Sequence, residues 1–142
     1  KRIRVRKSEE RFRALAEHST DPISEISQDR RLVYVSPSFT KTFGYEPEEV
    51  LGKDAMLHVH PEDLPQMKTV HSKASVDEAV SQLLFRYRHK NGSWRWVELT
   101  GCPYVSSSGE IRAILVNRDV TDRVLAEREL QAQFEAERRI AE

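Results

Sequence analysis

The stretch from residue 81 to 120 constrains this chain most. Residues 81–89, 94–105 and 111–120 alternate apolar and polar side chains. Each stretch therefore reads as a strand, since successive side chains of an extended chain point to opposite faces. Asn91-Gly92 predicts a tight hairpin between the first two, with both central positions at positive φ, and Ser107-Ser108-Gly109 marks the next hairpin. On the middle strand Trp94 and Trp96 share one face, while Val97, Leu99 and Gly101 share the other.

Two shorter strands precede these, Ile23–Ser27 and Leu32–Ser36, joined by the turn Gln28-Asp29-Arg30-Arg31. Between the two strand groups lie only short helical pieces. Pro37 suits a first helical position, Phe39 and Phe43 then share a face, and Gly44 ends the piece. Pro47-Glu48-Glu49-Val50-Leu51-Gly52 repeats that grammar. Pro65 would clash with a carbonyl if a helix already ran from residue 61, so the longer helix is placed over residues 65–74 with Met67 and Val70 inward.

Helices flank this core. Residues 8–18 are expected to form one, capped by Ser8, with Glu9 and Glu10 in its first turn and a narrow Phe12/Leu15/Ala16 stripe; Asp21-Pro22 ends it. From Thr121 to Glu142 the chain has no proline or glycine and is rich in Ala, Glu, Arg, Leu and Gln, which predicts a long helix. Its apolar residues follow no single heptad register: Val124 and Phe134 fit one phase, Leu130 and Ile140 another. The order of elements implies an α+β domain built on a five-stranded sheet. Residues 1–18 are read as a flanking helix, 19–120 as the folded domain and 121–142 as a C-terminal helix of coiled-coil type.

With 142 residues the chain fits one domain, and 38% hydrophobic content supplies one modest core. Lys plus Arg and Asp plus Glu number 23 each, so net charge gives no general argument for nucleic acid or acidic membranes. Arg86, Arg88, Lys90 and Arg95 read as a solvated basic hairpin. The single cysteine, Cys102, excludes an internal disulfide and a cysteine-based zinc site, and suits a reducing, cytoplasmic setting. No apolar run approaches the roughly 20 residues of a membrane span. The absence of an initiating Met, with helical patterns running to both ends, predicts a piece of a longer protein.

Several segments together carry a family resemblance: Tyr34-Val35-Ser36-Pro37-Ser38-Phe39; Phe43-Gly44-Tyr45; Glu48-Glu49-Val50-Leu51-Gly52; His60-Pro61-Glu62-Asp63-Leu64; Phe85 through Glu98; and Arg118-Asp119-Val120-Thr121-Asp122-Arg123. In this order and spacing the chain resembles the PAS family, in the branch with a tryptophan-bearing hairpin. The resemblance implies a five-stranded antiparallel sheet with short helices over one face, enclosing a small pocket. Phe43, Met56, Met67, Val70, His71, Phe85, Leu99 and Gly101 are its expected lining. It further implies that Asp119 and Thr121 link the sheet to an output helix. Physically, either residue can cap the new helix, and Asp119 can pair with a base such as Lys90 or Arg123. Two departures stand out. Asp29-Arg30 replaces the family's frequent Asp-Gly, which points to a different turn type, and Pro65 interrupts the usual run after His-Pro-Glu-Asp.

Other chemistry is weaker. His58 and His60 alternate in a short loop, which is no defined metal site; His71 would be the haem or metal candidate, but neither group is expected. Light-sensing relatives of the fold carry a flavin-reactive cysteine within Gly-x-Asn-Cys-Arg-Phe. That pattern is absent, so no flavin is expected and Cys102 is read as a small buried strand residue. Trp94 and Trp96 are read as covering the sheet face rather than stacking a ligand. Glu48-Glu49 and Glu62-Asp63 read as helix starts, and no catalytic constellation appears, so the chain is read as a regulatory module and not an enzyme. The expected setting is a multidomain signalling protein, foremost a sensor histidine kinase in a two-component system. Its partners would be a covalently linked effector, a second copy through the flanking helices, and a small-molecule ligand; nucleic acid and a membrane span are not expected. The alternatives are the sensor part of a diguanylate cyclase or phosphodiesterase, and a structural protein–protein module whose pocket is filled by Met56, Leu57, Met67, Phe85 and Leu99.

Overall fold

A computed structural model describes residues 2–73 and 78–141. The elements are α1 (Arg2–Glu17), β1 (Ile23–Ile26), β2 (Leu32–Val35), α2 (Pro37–Phe43), α3 (Pro47–Val50), α4 (Leu64–Lys73), β3 (Val80–Arg88), β4 (Trp94–Val105), β5 (Ile111–Asp119) and α5 (Thr121–Ala141). The strands form one antiparallel sheet in the order β2-β1-β5-β4-β3, so the first hairpin pairs with the last strand. The far ends of the last two predicted helices, residues 74 and 142, lie outside the described residues.

The first helix differs from expectation. It begins at Arg2, and Ser8 sits in its interior rather than at its cap. The residues before Ser8 are mostly straight-chain Arg and Lys, which favour helix, with no glycine or proline to stop it. The predicted stripe also narrows. Ala16 is fully buried and Phe12 packs edge-on against Tyr34, but Leu15 is 75% exposed.

All three hairpin turns share one geometry. Ser27 N–H donates to Arg31 O while Arg30 N–H donates to Ser27 O, and the same pair of bonds recurs at His89/Ser93/Gly92 and Ser106/Glu110/Gly109. The left-handed position is held by Arg30 (φ 63), Gly92 (φ 94) and Gly109 (φ 85). This is the three-residue loop with a left-handed last residue. Two expectations are therefore corrected. Asn91 does not take positive φ, and the Asp29-Arg30 turn is the same type as its sisters, with arginine standing where glycine relieves the Cβ clash.

The sheet's two faces follow the predicted parity. Val97, Leu99 and Gly101 are buried on the inner face with Phe85 and Tyr87. Cys102, expected to be buried, is exposed. It follows the inward Gly101, so strand alternation turns it outward. A short aromatic cluster closes one end of the core: Phe43 lies 5.0 Å from Phe39 and 4.9 Å from Tyr87 between ring centroids.

The segment between α3 and α4 ties both edges of the sheet together. Gly52 N–H donates to Leu32 O, Leu32 N–H to Lys53 O and Ala55 N–H to Arg30 O on the β2 side. On the β3 side His60 N–H donates to Arg86 O and Arg88 N–H to His58 O. Residues 52–60 thus form a strap across the inner face that also occupies the edge strands' free backbone groups.

Candidate functional site

Between the inner face, the strap and α4 lies a cavity of about 280 Å³. Seven of the eight residues expected to line it do so: Met56, Met67, Val70, His71, Phe85, Leu99 and Gly101. Phe43 does not. It is 1% exposed within the Phe39/Tyr87 cluster, because the face it shares with Phe39 turns into the core beside the cavity. Leu57, offered as a pocket filler, is 57% exposed. The space therefore remains open, with Met56, Met67, Phe85 and Leu99 forming walls instead of closing it.

Most of the remaining wall was missed in the sequence. β1 and β2 contribute Ser24, Ile26 and Leu32; β3 adds Leu83 and Tyr87; β5 adds Ala113, Leu115 and Asn117. The period-two row 113, 115, 117 was readable from the same parity that placed Leu99 and Gly101. Gly101 makes room for this row: a Cβ there would stand 3.1 Å from Leu115 Cδ2.

The polar groups along the cavity are few. Asn117 Nδ2 donates to Ser24 Oγ at 3.0 Å, tying β5 to β1 deep in the wall. Burial pushes the Tyr87 phenol well above its ordinary value. Burial, helped by the charge of Arg30 and opposed by Asp54, holds the His71 imidazole below its ordinary value. The loop histidines point elsewhere: His58 stacks on Tyr45 at 4.4 Å, and His60 packs on Trp94 at 4.5 Å. Among the described residues no three His, Cys, Asp or Glu side chains converge as metal ligands. The chain's one thiol faces away from the cavity, so Cys102 cannot serve a flavin held there.

Asp119 and Thr121 meet where β5 turns into α5. Asp119 Oδ1 accepts from Thr121 N–H at 2.9 Å and Thr121 Oγ1–H at 2.6 Å. Thr121 Oγ1 in turn accepts from Trp96 N–H at 2.9 Å. The charge partner of Asp119 is neither Lys90 nor Arg123 but Arg95, at 2.8 Å; Lys90 pairs with Glu49 and Arg123 with Glu98. Burial alone would raise the Asp119 carboxyl, but the Thr121 bonds and Arg95 outweigh it and hold it below the usual carboxylate range.

A second link runs along the outer face. Arg86 donates from Nε to Asp63 Oδ2 and from Nη2 to Asp63 Oδ1, both at 3.0 Å, and its guanidinium carbon lies 5.1 Å from the Trp96 ring centroid. Arg128 of α5 approaches that ring at 4.6 Å. The Glu62-Asp63 pair is thus more than a helix start, and three members of the basic hairpin, Arg86, Lys90 and Arg95, are neutralised by carboxylates.

Comparisons with known proteins agree with this geometry. A family model described as the PAS fold matches residues 32–117. The blue light receptor lreA of Aspergillus flavus is 31% identical over 107 residues, covering 75% of this chain and 12% of the receptor. The chain thus spans about an eighth of that curated relative's length. The PAS domain of an HTR-like protein from Haloarcula marismortui superimposes with a TM-score of 0.69 at 29% identity, covering 83% of this chain and 96% of that one. An RNA-binding light-oxygen-voltage receptor reaches a TM-score of 0.75 at 23% identity over 94% of this chain and 39% of its own, a likeness of fold. Among the described residues no helix is long and apolar enough to cross a membrane.

Proposed function

The chain belongs to the PAS family, and from that footing we propose that it is the ligand-responsive sensory module of a longer signalling protein, foremost a sensor histidine kinase. One observation carries the reading: Ala113, Leu115 and Asn117 line the cavity, and Asp119, which caps α5, is the next residue on that inward row. A ligand that shifts this row moves the cap of the output helix through a single strand. The cavity suits a small, mostly apolar molecule, since aliphatic and aromatic walls surround a few fixed polar groups.

Beyond Val124 every described residue of α5 is exposed, including Leu125, Leu130, Phe134 and Ile140. Two copies of the chain are the natural partners for that helix. Because the apolar residues fall in two competing phases, pairing in either register differs little in energy, and a small push at Asp119 selects between them. An effector following α5 would read the choice. A cyclic-di-nucleotide enzyme in the kinase's place would read it in the same way.

Amide NMR shifts measured during titration with a set of small aromatic fragments test this reading. Binding should perturb cavity amides and, together with them, those of Thr121–Val124. Perturbation confined to the cavity would overturn the relay.

A further inference from the structure

We propose that the cavity takes a small monocarboxylate with an apolar body, its carboxylate held by Arg30 at the cavity rim. The proposal rests on the reading of the cavity as a ligand site and adds the charge and chemical class of what enters.

The first observation is conformational. Arg30 sits at φ 63 in a turn whose two sisters place Gly92 and Gly109 at the same position. A left-handed non-glycine residue is costly, and such strain persists where a ligand clamp needs the side chain. Here that side chain lies along the cavity wall.

The second observation is electrostatic. The Arg30 guanidinium approaches Met56 Sδ at 3.6 Å and Asp54 Oδ2 at 3.5 Å, the latter an ion contact with no hydrogen bond among the described residues. The other arginine along the cavity, Arg112, is bonded to Glu25 and Glu110. A guanidinium carries five N–H donors in a planar fork that matches a carboxylate. Arg30 therefore retains capacity for a bidentate partner, whereas Arg112 does not.

The third observation sets the charge and size. Asp54 already stands beside Arg30, which tolerates one further negative charge but repels a dianion such as a phosphate monoester. His71, also on the wall, is held below its ordinary value by burial and then by Arg30, against Asp54, so it adds no second cation at neutral pH. A dry cavity of roughly 150 Å³ accepts benzene, so about 280 Å³ takes a body nearly twice that size.

Isothermal titration of the chain with 2-naphthoate and its uncharged analogue 2-naphthamide, at neutral pH and low salt, separates the outcomes. The acid should bind about tenfold more tightly than the amide, as a charge-assisted bidentate pair requires. Arg30→Gln and Arg30→Gly should bring the two probes to within about twofold of each other. The glycine variant suits the left-handed turn, and thermal melting monitors its fold. Equal binding of acid and amide, or a preference that survives in Arg30→Gly, would overturn the carboxylate proposal while leaving the cavity reading standing. Binding of neither probe would overturn both.

Discussion

Arg128 of α5 holds its guanidinium carbon 4.6 Å from the centroid of the Trp96 ring on β4, and Arg86 of β3 meets the same ring at 5.1 Å. One indole thus touches α5 and the strand that is clamped to the start of α4. The Asp119 cap joins β5 to α5; this contact joins the start of the cavity-lining helix to α5 along the outer face. An exposed cation–π contact contributes about 0.5–1 kcal/mol. Arg128→Ala should therefore lower global stability by less than about 1 kcal/mol while accelerating amide exchange within residues 123–129. Unchanged exchange in that turn would show that the contact does not hold the helix.

The Asp63–Arg86 clamp should matter more. Asp63 accepts from the Arg86 guanidinium through both oxygens and from Arg86 N–H at 2.8 Å. The Arg86 bonds hold its carboxyl below the usual range. Asp63→Ala removes the acceptor for three donors at the sheet edge and should cost about 1.5–3 kcal/mol in urea unfolding. A loss below about 0.5 kcal/mol would place it among ordinary surface pairs.

The Asp119–Thr121 cap can be separated from its charge pair. Thr121→Ala removes a hydroxyl that both donates to Asp119 and accepts from Trp96 N–H, and a lost cap costs about 1 kcal/mol. Asp119→Asn keeps a capping oxygen but not the charge facing Arg95. If the cap dominates, Thr121→Ala will loosen the α5 amides more than Asp119→Asn does in hydrogen exchange; the reverse order would make the Arg95 pair the fastening.

The order of elements and the inner face of β4 were legible because hairpin glycines, proline helix starts and period-two runs are local signals. Cys102 and the Arg95 partner of Asp119 were legible in principle. Cys102 follows an inward glycine, and Val97 opposite Asp119 puts Arg95 diagonally across on the same face. The strap was not legible. Its bonds to both sheet edges are made by backbone groups, so residues 52–60 carry no side-chain pattern that announces them. Phe43 shows a different limit: a helix face fixes which residues point inward together, not whether they meet a wall or a cavity. The left-handed Arg30 could not be foreseen because propensity argues against it, and that contradiction marks the position.

Arg30→Gly tests the strain directly. Relief of a left-handed Cβ is worth about 1–2 kcal/mol, while the added flexibility of glycine in the unfolded chain costs about 0.5–1 kcal/mol. The contact with Asp54, at 3.5 Å and half in solvent, contributes little. The variant should thus be more stable than the natural chain by about 0.5–1 kcal/mol in chemical denaturation. A loss of stability would mean that the contacts of Arg30 with Asp54 and Met56 outweigh the backbone strain.

Acid should weaken the fold through two of its half-buried histidines, His58 and His71. Burial first, and then Lys53 and Arg88, hold His58 below its ordinary value, while burial and then Arg30, against Asp54, do so for His71. A histidine depressed in the folded state binds fewer protons there than in the unfolded chain. Its contribution is therefore complete above the unfolded value of about 6.5 and is lost as pH falls through that value towards the folded one. Asp119 and Asp63, also depressed, act with the same sign in a lower window, beneath the ordinary 3.8. Urea midpoints measured across the range should decline in two stages, the first near the histidine range and the second near the carboxylate range. His71→Gln should flatten part of the first stage and leave the second intact. A midpoint that holds constant through the histidine range would show that neither imidazole resists protonation in the folded chain.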